Sequence, residues 1–271
     1  MEMESLADQI RDFLHQHHLR LNTDLGQHFL IDDFVLTDIV DAADIAEDEH
    51  VVEIGPGIGV LTCELLARAK TVTAIELDDR LIPLLKEFTA HLVSDDHRLE
   101  IIEGNALQTP MPDTPYKVVA NIPYHITSPL FRHLFLQSKT RPTSLTLLIQ
   151  KEVAQTICST KDAGILTIIV GLFGEAKYVT DVPSRSFLPP PQVESAVIHV
   201  ESYPKPKADP ETIERIFTLI KIGFGQKRKM LRNSIGALEN GMERMEKAGI
   251  DPTRRPQTLS VEEWIALAGT A

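Results

Sequence analysis

No apolar run in this chain approaches the roughly 18 consecutive residues that a membrane-spanning helix needs, so no membrane association is expected. The start, Met1-Glu2-Met3-Glu4, is acidic and lacks the basic residues and apolar stretch of a secretory leader. Cysteine is scarce. Cys63 and Cys158 have no Cys or His partner at metal-ligand spacing, so they are expected as buried thiols in a reducing cytoplasm, with no metal site. The cluster of His15, His17 and His18 reads as a solvated helix end. Positive charge is also in deficit: 27 basic against 39 acidic residues give a net charge of −12, which excludes a chain that simply coats itself in nucleic acid. Missing too are a Ser-His-Asp set, a catalytic carboxylate pair, internal repeats and low-complexity tracts.

What is present is an ordinary globular composition, 43% apolar over 271 residues, long enough for one large domain with or without a small one. The charge is unevenly spread. Residues 205–271 hold 12 basic and 9 acidic residues, whereas residues 32–49 alone carry eight carboxylates and no Lys or Arg. Any polyanion contact is therefore focused. A break at Tyr203-Pro204-Lys205-Pro206-Lys207 reads as a linker, dividing the chain into 1–202 and 203–271.

In the first region short apolar runs alternate with helical periodicity. Strands are expected at 51–54, 71–75, 99–102, 117–120 and 145–149, with helices at 5–18, from Asp32 or Asp33 to 46, at 60–68, from Asp78 or Asp79 to 92, and at 128–137. That alternation implies an α/β fold with a parallel sheet, whose ligands bind beyond the C-terminal ends of the strands. A helix over 163–173 and strands at 177–182 and 196–201, an antiparallel edge, follow. Ser186–Val193 is too proline-rich for either element. Helices are expected at 209–222, 227–238, 240–248 and 260–268.

Four strand ends carry chemistry. Gly55-Pro56-Gly57-Ile58-Gly59 joins a strand to a helix, where glycine lets the backbone approach a ligand. Glu76, 21 residues beyond Gly55, ends the next strand and is placed to accept both hydroxyls of a ribose. Val60 stands where a dinucleotide fingerprint would have glycine, and Glu53 precedes the loop. This form suits a ligand without a pyrophosphate, and S-adenosylmethionine is the natural one. Asn105 then faces its adenine. Asn121-Ile122-Pro123-Tyr124 ends the fourth strand. By itself it is more readily a strand-to-loop turn. Beside the other three it reads as a site for an adenine amine: the Asn121 side chain and the Ile122 carbonyl accept its two protons, and Tyr124 stacks on the ring. Phe187 either stacks on the opposite face or plugs the core under its loop. The stretch from Lys221 to Asn233, with Lys221, Lys227, Arg228, Lys229 and Arg232 and no acid, can track RNA phosphates or form a solvated helix face, with Leu231 and Ile235 inward.

These motifs together resemble the small-subunit ribosomal RNA adenine dimethyltransferases, essentially end to end. The residues concerned are Gly26-Gln27-His28-Phe29-Leu30, Glu53–Thr62, Glu76-Leu77-Asp78, Gly104-Asn105-Ala106-Leu107, Asn121–Tyr124, the Phe-x-Pro-x-Pro-x-Val-x-Ser-Ala run of Phe187–Ala196, Lys227–Ile235 and Arg255–Ser260. The resemblance implies a Rossmann-like methyltransferase domain with a small all-helical C-terminal domain. It implies dimethylation of N6 on two adjacent adenosines near the 3′ end of small-subunit rRNA, in an assembling subunit; a monomer is the default expectation. It places Gln27, His28, Leu30, Gly55, Gly57, Glu76, Asn105 and Asn121 at the cofactor, and Asn121, Ile122 and Tyr124 at the target adenine. Many members have Asn at the position of His28 and Asp at that of Asn105. The neutral amide keeps an acceptor and loses a charge, so weaker binding of the cofactor adenine is expected. Two rival readings are a non-catalytic nucleic-acid binder on the same fold and a large-subunit methyltransferase of the resistance type.

Overall fold

In a computed structural model, which describes residues 5–94, 97–159, 161–226 and 228–270, nine strands form two sheets. They are β1 (Phe29–Leu30), β2 (His50–Ile54), β3 (Thr71–Glu76), β4 (Arg98–Glu103), β5 (Lys117–Asn121), β6 (Ser144–Gln150), β7 (Gly174–Val182), β8 (Phe187–Leu188) and β9 (Ser195–Ser202). The large sheet has the order β4-β3-β2-β5-β6-β9-β7. Its β2, β3, β4, β5 and β6 pair in parallel, and β9 runs antiparallel to β6. The central strands β5 and β6 are nearly continuous buried apolar runs, as parallel strands covered on both faces must be. The edge strand β4 is largely exposed and carries Arg98, Glu100 and Glu103, charges that discourage further pairing. The order reverses between β2 and β5, and that switch point sets the site.

Local chemistry fixes the helices. Asp32 caps the helix Asp33–Ala43 by accepting from the backbone N–H of Phe34 and Val35. The helix then sends Val35, Leu36, Ile39, Val40 and Ala43 into the core. Gly59, at φ +102°, starts the helix Val60–Leu66; a Cβ there would sit 2.7 Å from Leu85 Cδ1, so the glycine loop packs directly on the helix Ile82–Thr89.

Several boundaries differ from the sequence reading. Neither Asp78 nor Asp79 caps a helix; the helix starts at Ile82, because the Asp78 carboxylate is taken by Arg80 and Gln27. The helix at Thr127–Arg132 ends in a wider π turn, His133–Gln137. The helix Lys151–Ile157 was not anticipated, nor was the pairing of Phe187–Leu188 with β1. No long helix covers 227–238. Lys227 lies outside the described residues. Beyond it the N–H groups of Leu231 and Arg232 donate to the carbonyls of Arg254 and Pro252, leaving only the short 3₁₀ turns Leu231–Asn233 and Ile235–Ala237. Leu231 and Ile235 are buried there.

The chain falls into two compact units. The first runs to Ala154 and includes Lys177–Ser202; the second is Gln155–Ala176 with the chain from Tyr203 onward. Gln155–Ala176, assigned by sequence to the first region, thus groups with the second. There Gly171 meets Val261 so closely that a Cβ would lie 2.6 Å from its Cγ2. The described residues after 203 contain helices and 3₁₀ turns and no strand, with Trp264 fully buried and stacked on Phe224. Among the described residues no helix is long and apolar enough to cross a membrane.

Phe187 settles in the core. It pairs with Leu30 in the small sheet, is 2% exposed and belongs to the same apolar cluster as Phe29, Leu30 and Val182. The ladder with β1 turns its ring inward, so of its two readings the core plug describes this structure. Phe187→Ala is expected to destabilise the protein by about 3–5 kcal/mol in chemical denaturation. An unchanged midpoint would place the ring outside the core.

Candidate active site

The C-terminal ends of β2, β3 and β5 open into a cavity of about 980 Å³, its mouth included. Its lining includes Gln27, His28, Leu30, Gly55, Gly57, Glu76, Asn105 and Asn121. A smaller cavity adjoins it, lined by Thr23, Gly26, His28, Asn121, Ile122, Tyr124 and His125. Gly26, His28, Asn121 and His125 border both. The sequence-derived cofactor set therefore surrounds one space, and Asn121, Ile122 and Tyr124 surround the other. Phe187 borders neither.

The glycine loop is shaped by close approach. Gly55 and Gly57 have φ of +68° and +62°, and a Cβ at Gly57 would meet Phe29 Cε1 at 2.4 Å. Gly57 N donates to Glu76 Oε2 at 3.0 Å, and Asp78 N donates to Glu76 Oε1 at 2.8 Å. The carboxylate keeps acceptor capacity for a ligand. Burial raises the pKa of Glu76, and the backbone donors of Asp78, Gly57 and Leu77 oppose that shift. Glu53 is more extreme. It is 1% exposed, accepts from Thr62 Oγ1 at 2.6 Å, and burial pushes its carboxyl up to about 8. Two buried carboxyls facing one cavity favour a cationic ligand there, because a positive charge relieves the cost of ionising them.

Other residues are committed internally. Gln27 donates to Asp78 Oδ2 at 2.7 Å and accepts from Asn22 N at 2.6 Å, so it braces the cavity wall. Arg80 grips Asp78 with two bonds of 2.8 and 2.6 Å and holds its carboxyl down at about 2. Asn105 Oδ1 accepts from Leu107 N at 3.0 Å. That bond turns the Asn105 NH₂ away from the loop, so the outward group is a donor where an aspartate would offer an acceptor.

The junction of the two cavities is the most informative part. Asn121 Nδ2 donates to the His28 carbonyl at 3.1 Å. The amide is thereby oriented, and Oδ1 is left as the acceptor. His28 Nδ1 lies 2.7 Å from the Pro189 carbonyl, which can only accept, so Nδ1 carries the proton. Tyr124 Oη lies 2.6 Å from Ser195 Oγ, and burial raises the phenol pKa. Sequence reasoning gave no role to Ser195, Pro189 or His125. Ser195 and Pro189 lie inside the quoted Phe187–Ala196 run, but a bond to Tyr124 or His28 has no local signature.

None of the described basic residues of the stretch is among those lining the two cavities. Lys221, Arg228, Lys229 and Arg232 are exposed, in the second unit. Among the described residues no cluster of His, Cys, Asp or Glu could hold a metal ion.

Comparison with known proteins gives a consistent result. The family model described as ribosomal RNA adenine dimethylase matches residues 18–270. The ribosomal RNA small subunit methyltransferase A of Alkaliphilus metalliredigens is 41% identical, covering 92% of this chain and 91% of its own. The protein of that name from Clostridium perfringens is 40% identical, covering 99% and 97%. Among solved structures, a dimethyladenosine transferase from Plasmodium falciparum is similar with a TM-score of 0.74 at 27% identity, covering 89% of this chain and 96% of its own.

The buried Glu53 carboxyl has a pH signature. Its folded pKa, about 8, lies above the ordinary value of 4.5, so its contribution is fully present below about pH 4.5 and is lost as pH rises through 8. Glu53→Gln keeps an acceptor for Thr62 and removes the ionisation. Without ligand, the variant is expected to melt above the wild type at pH 8.5, and the gap should close toward pH 5. A gap that is constant with pH would mean that Glu53 does not titrate in this range.

Proposed function

The chain belongs to the ribosomal RNA adenine dimethylase family, and from that premise we propose how its two cavities divide the work. The protein is an S-adenosylmethionine-dependent methyltransferase that dimethylates N6 of adenosines in small-subunit rRNA. We infer that the substrate is two adjacent adenosines near the 3′ end, presented by an assembling subunit in the cytoplasm, and that the enzyme acts as a monomer.

The residues lining the large cavity fit S-adenosylmethionine. Glu76 keeps acceptor capacity for the ribose, the glycine loop lets the backbone come close, and buried acid faces a cationic ligand. Asn105 borders the adenine end. When bound, this cofactor supplies a methyl group on a positively charged sulfur, an excellent leaving group. The chain's own contribution is then mainly orientation.

The target amine is a poor nucleophile, because its lone pair is delocalised into the adenine ring. In our reading Asn121 Oδ1 and the Ile122 carbonyl accept its two protons and draw the nitrogen toward tetrahedral geometry. The lone pair is freed to face the large cavity. Tyr124 stacks on the ring. A base inside a duplex cannot reach such a pocket, so the target is single-stranded or flipped. The observation that carries this reading is the Asn121–His28 hydrogen bond, which leaves Oδ1 available at the border of the two cavities. Residues 203–271 are our candidate for the rRNA contact, through Lys221, Lys227, Arg228, Lys229 and Arg232.

Two outcomes test this. Asn121→Ala should reduce transfer of labelled methyl groups to immature small subunits by about 100-fold or more, with an unchanged circular dichroism spectrum. Near-normal turnover would mean the pocket is misassigned. Reversing charge at Arg228 and Lys229 should weaken subunit binding and flatten its dependence on salt, by a slope of about 0.7–0.9 for each phosphate that is no longer neutralised. Unchanged binding would place the RNA surface elsewhere.

A further inference from the structure

The proline-rich segment reaches the target pocket without lining it. Between Ser186 and Ser195 it is anchored by the β1–β8 ladder and by further bonds. Ser186 Oγ donates to Asp32 Oδ2 at 2.7 Å, and Lys151 N donates to the Glu194 carbonyl at 3.0 Å. The Pro189 carbonyl takes His28 Nδ1 at 2.7 Å, and Ser195 Oγ meets Tyr124 Oη at 2.6 Å. The last two end on residues that border the small cavity.

Ser195 is a rigid post. It is fully buried, opens β9, and lies in register with Gln150 at the end of β6. Lys151, the next residue, ties that strand end down further through Glu194 Oε2 and Asp181 Oδ2, each at 2.9 Å. Tyr124, by contrast, stands on a short 3₁₀ turn and is only half-buried. It borders the small cavity. The phenol oxygen is the far end of the lever, so a bond there fixes the direction of the ring axis, and with it where the ring stands.

We propose that Ser195 is a positioning residue for methyl transfer: its hydroxyl anchors the far end of the Tyr124 ring, and thereby sets where the target adenine stacks relative to the methyl donor. The inference rests on the proposed roles of Asn121 and Tyr124. It adds the specific consequence that the bond matters most in the second transfer. After the first transfer the amine carries a methyl group and only one proton. One of the two acceptors then has nothing to accept, and the stacking plane bears more of the orientation.

The test is a double-mutant cycle on Tyr124→Phe and Ser195→Ala, with immature small subunits as substrate and mass spectrometry reading the ratio of monomethyl to dimethyl adenosine. Tyr124→Phe keeps the ring and removes only the bond, so it serves even where Ser195→Ala folds poorly. Each single variant should lower the second methylation about tenfold and accumulate the monomethyl product, with cofactor affinity by calorimetry within about twofold of wild type. The double variant should be no worse than either single one. Multiplying effects in the double variant, or an unchanged product ratio in Tyr124→Phe, would overturn the proposal. A wild-type protein that transfers no methyl groups would instead sink the reading on which it rests.

Discussion

A side-chain amide can point either way, and this site depends on which way Asn121 points. Its NH₂ is committed to the His28 carbonyl at 3.1 Å. The oxygen is therefore the group left for a ligand, at the wall shared by two cavities. The other orientation would set two carbonyl oxygens against each other and offer a donor to an amine that needs acceptors. Much of the surrounding structure maintains the bond. Asn121 ends β5, paired with Leu148 of β6. His28 is held by Pro189 and is followed directly by β1, which pairs with β8.

A similar constraint shapes the cofactor side. Buried carboxyls are destabilising unless something compensates them, and here two face one cavity. Glu76 is compensated in part by backbone N–H groups, Glu53 by one hydroxyl. The remainder is a field suited to a positive ligand. A chain with a net charge of −12 thus lines its large cavity with buried acid, and exposes Lys221, Arg228, Lys229 and Arg232 in its second unit.

The site was more legible in the sequence than the frame around it. Gly55, Glu76 and Asn121 sit at the ends of buried strands, which are readable because they are short continuous apolar runs, whereas Asn105 follows the exposed edge strand β4. The Gly59 turn and the Asp32 cap left local marks of the same kind. Interactions without a local signature were not legible. Phe187–Leu188 is a strand only because Phe29–Leu30 lies beside it, more than 150 residues away. Leu231 and Arg232 fall in a stretch that looks helical, yet their N–H groups find partners at Arg254 and Pro252. Ser195 looks like any strand serine until Tyr124 is placed against it.

The central claim is that two acceptors and one ring present an adenine amine for methylation. The most direct measurement is mass spectrometry of small-subunit RNA after incubation of immature subunits with the protein and S-adenosylmethionine. The account predicts N6,N6-dimethyladenosine at two adjacent positions near the 3′ end. Tight subunit binding with no methylated adenosine, or methylation confined to large-subunit RNA, would contradict it.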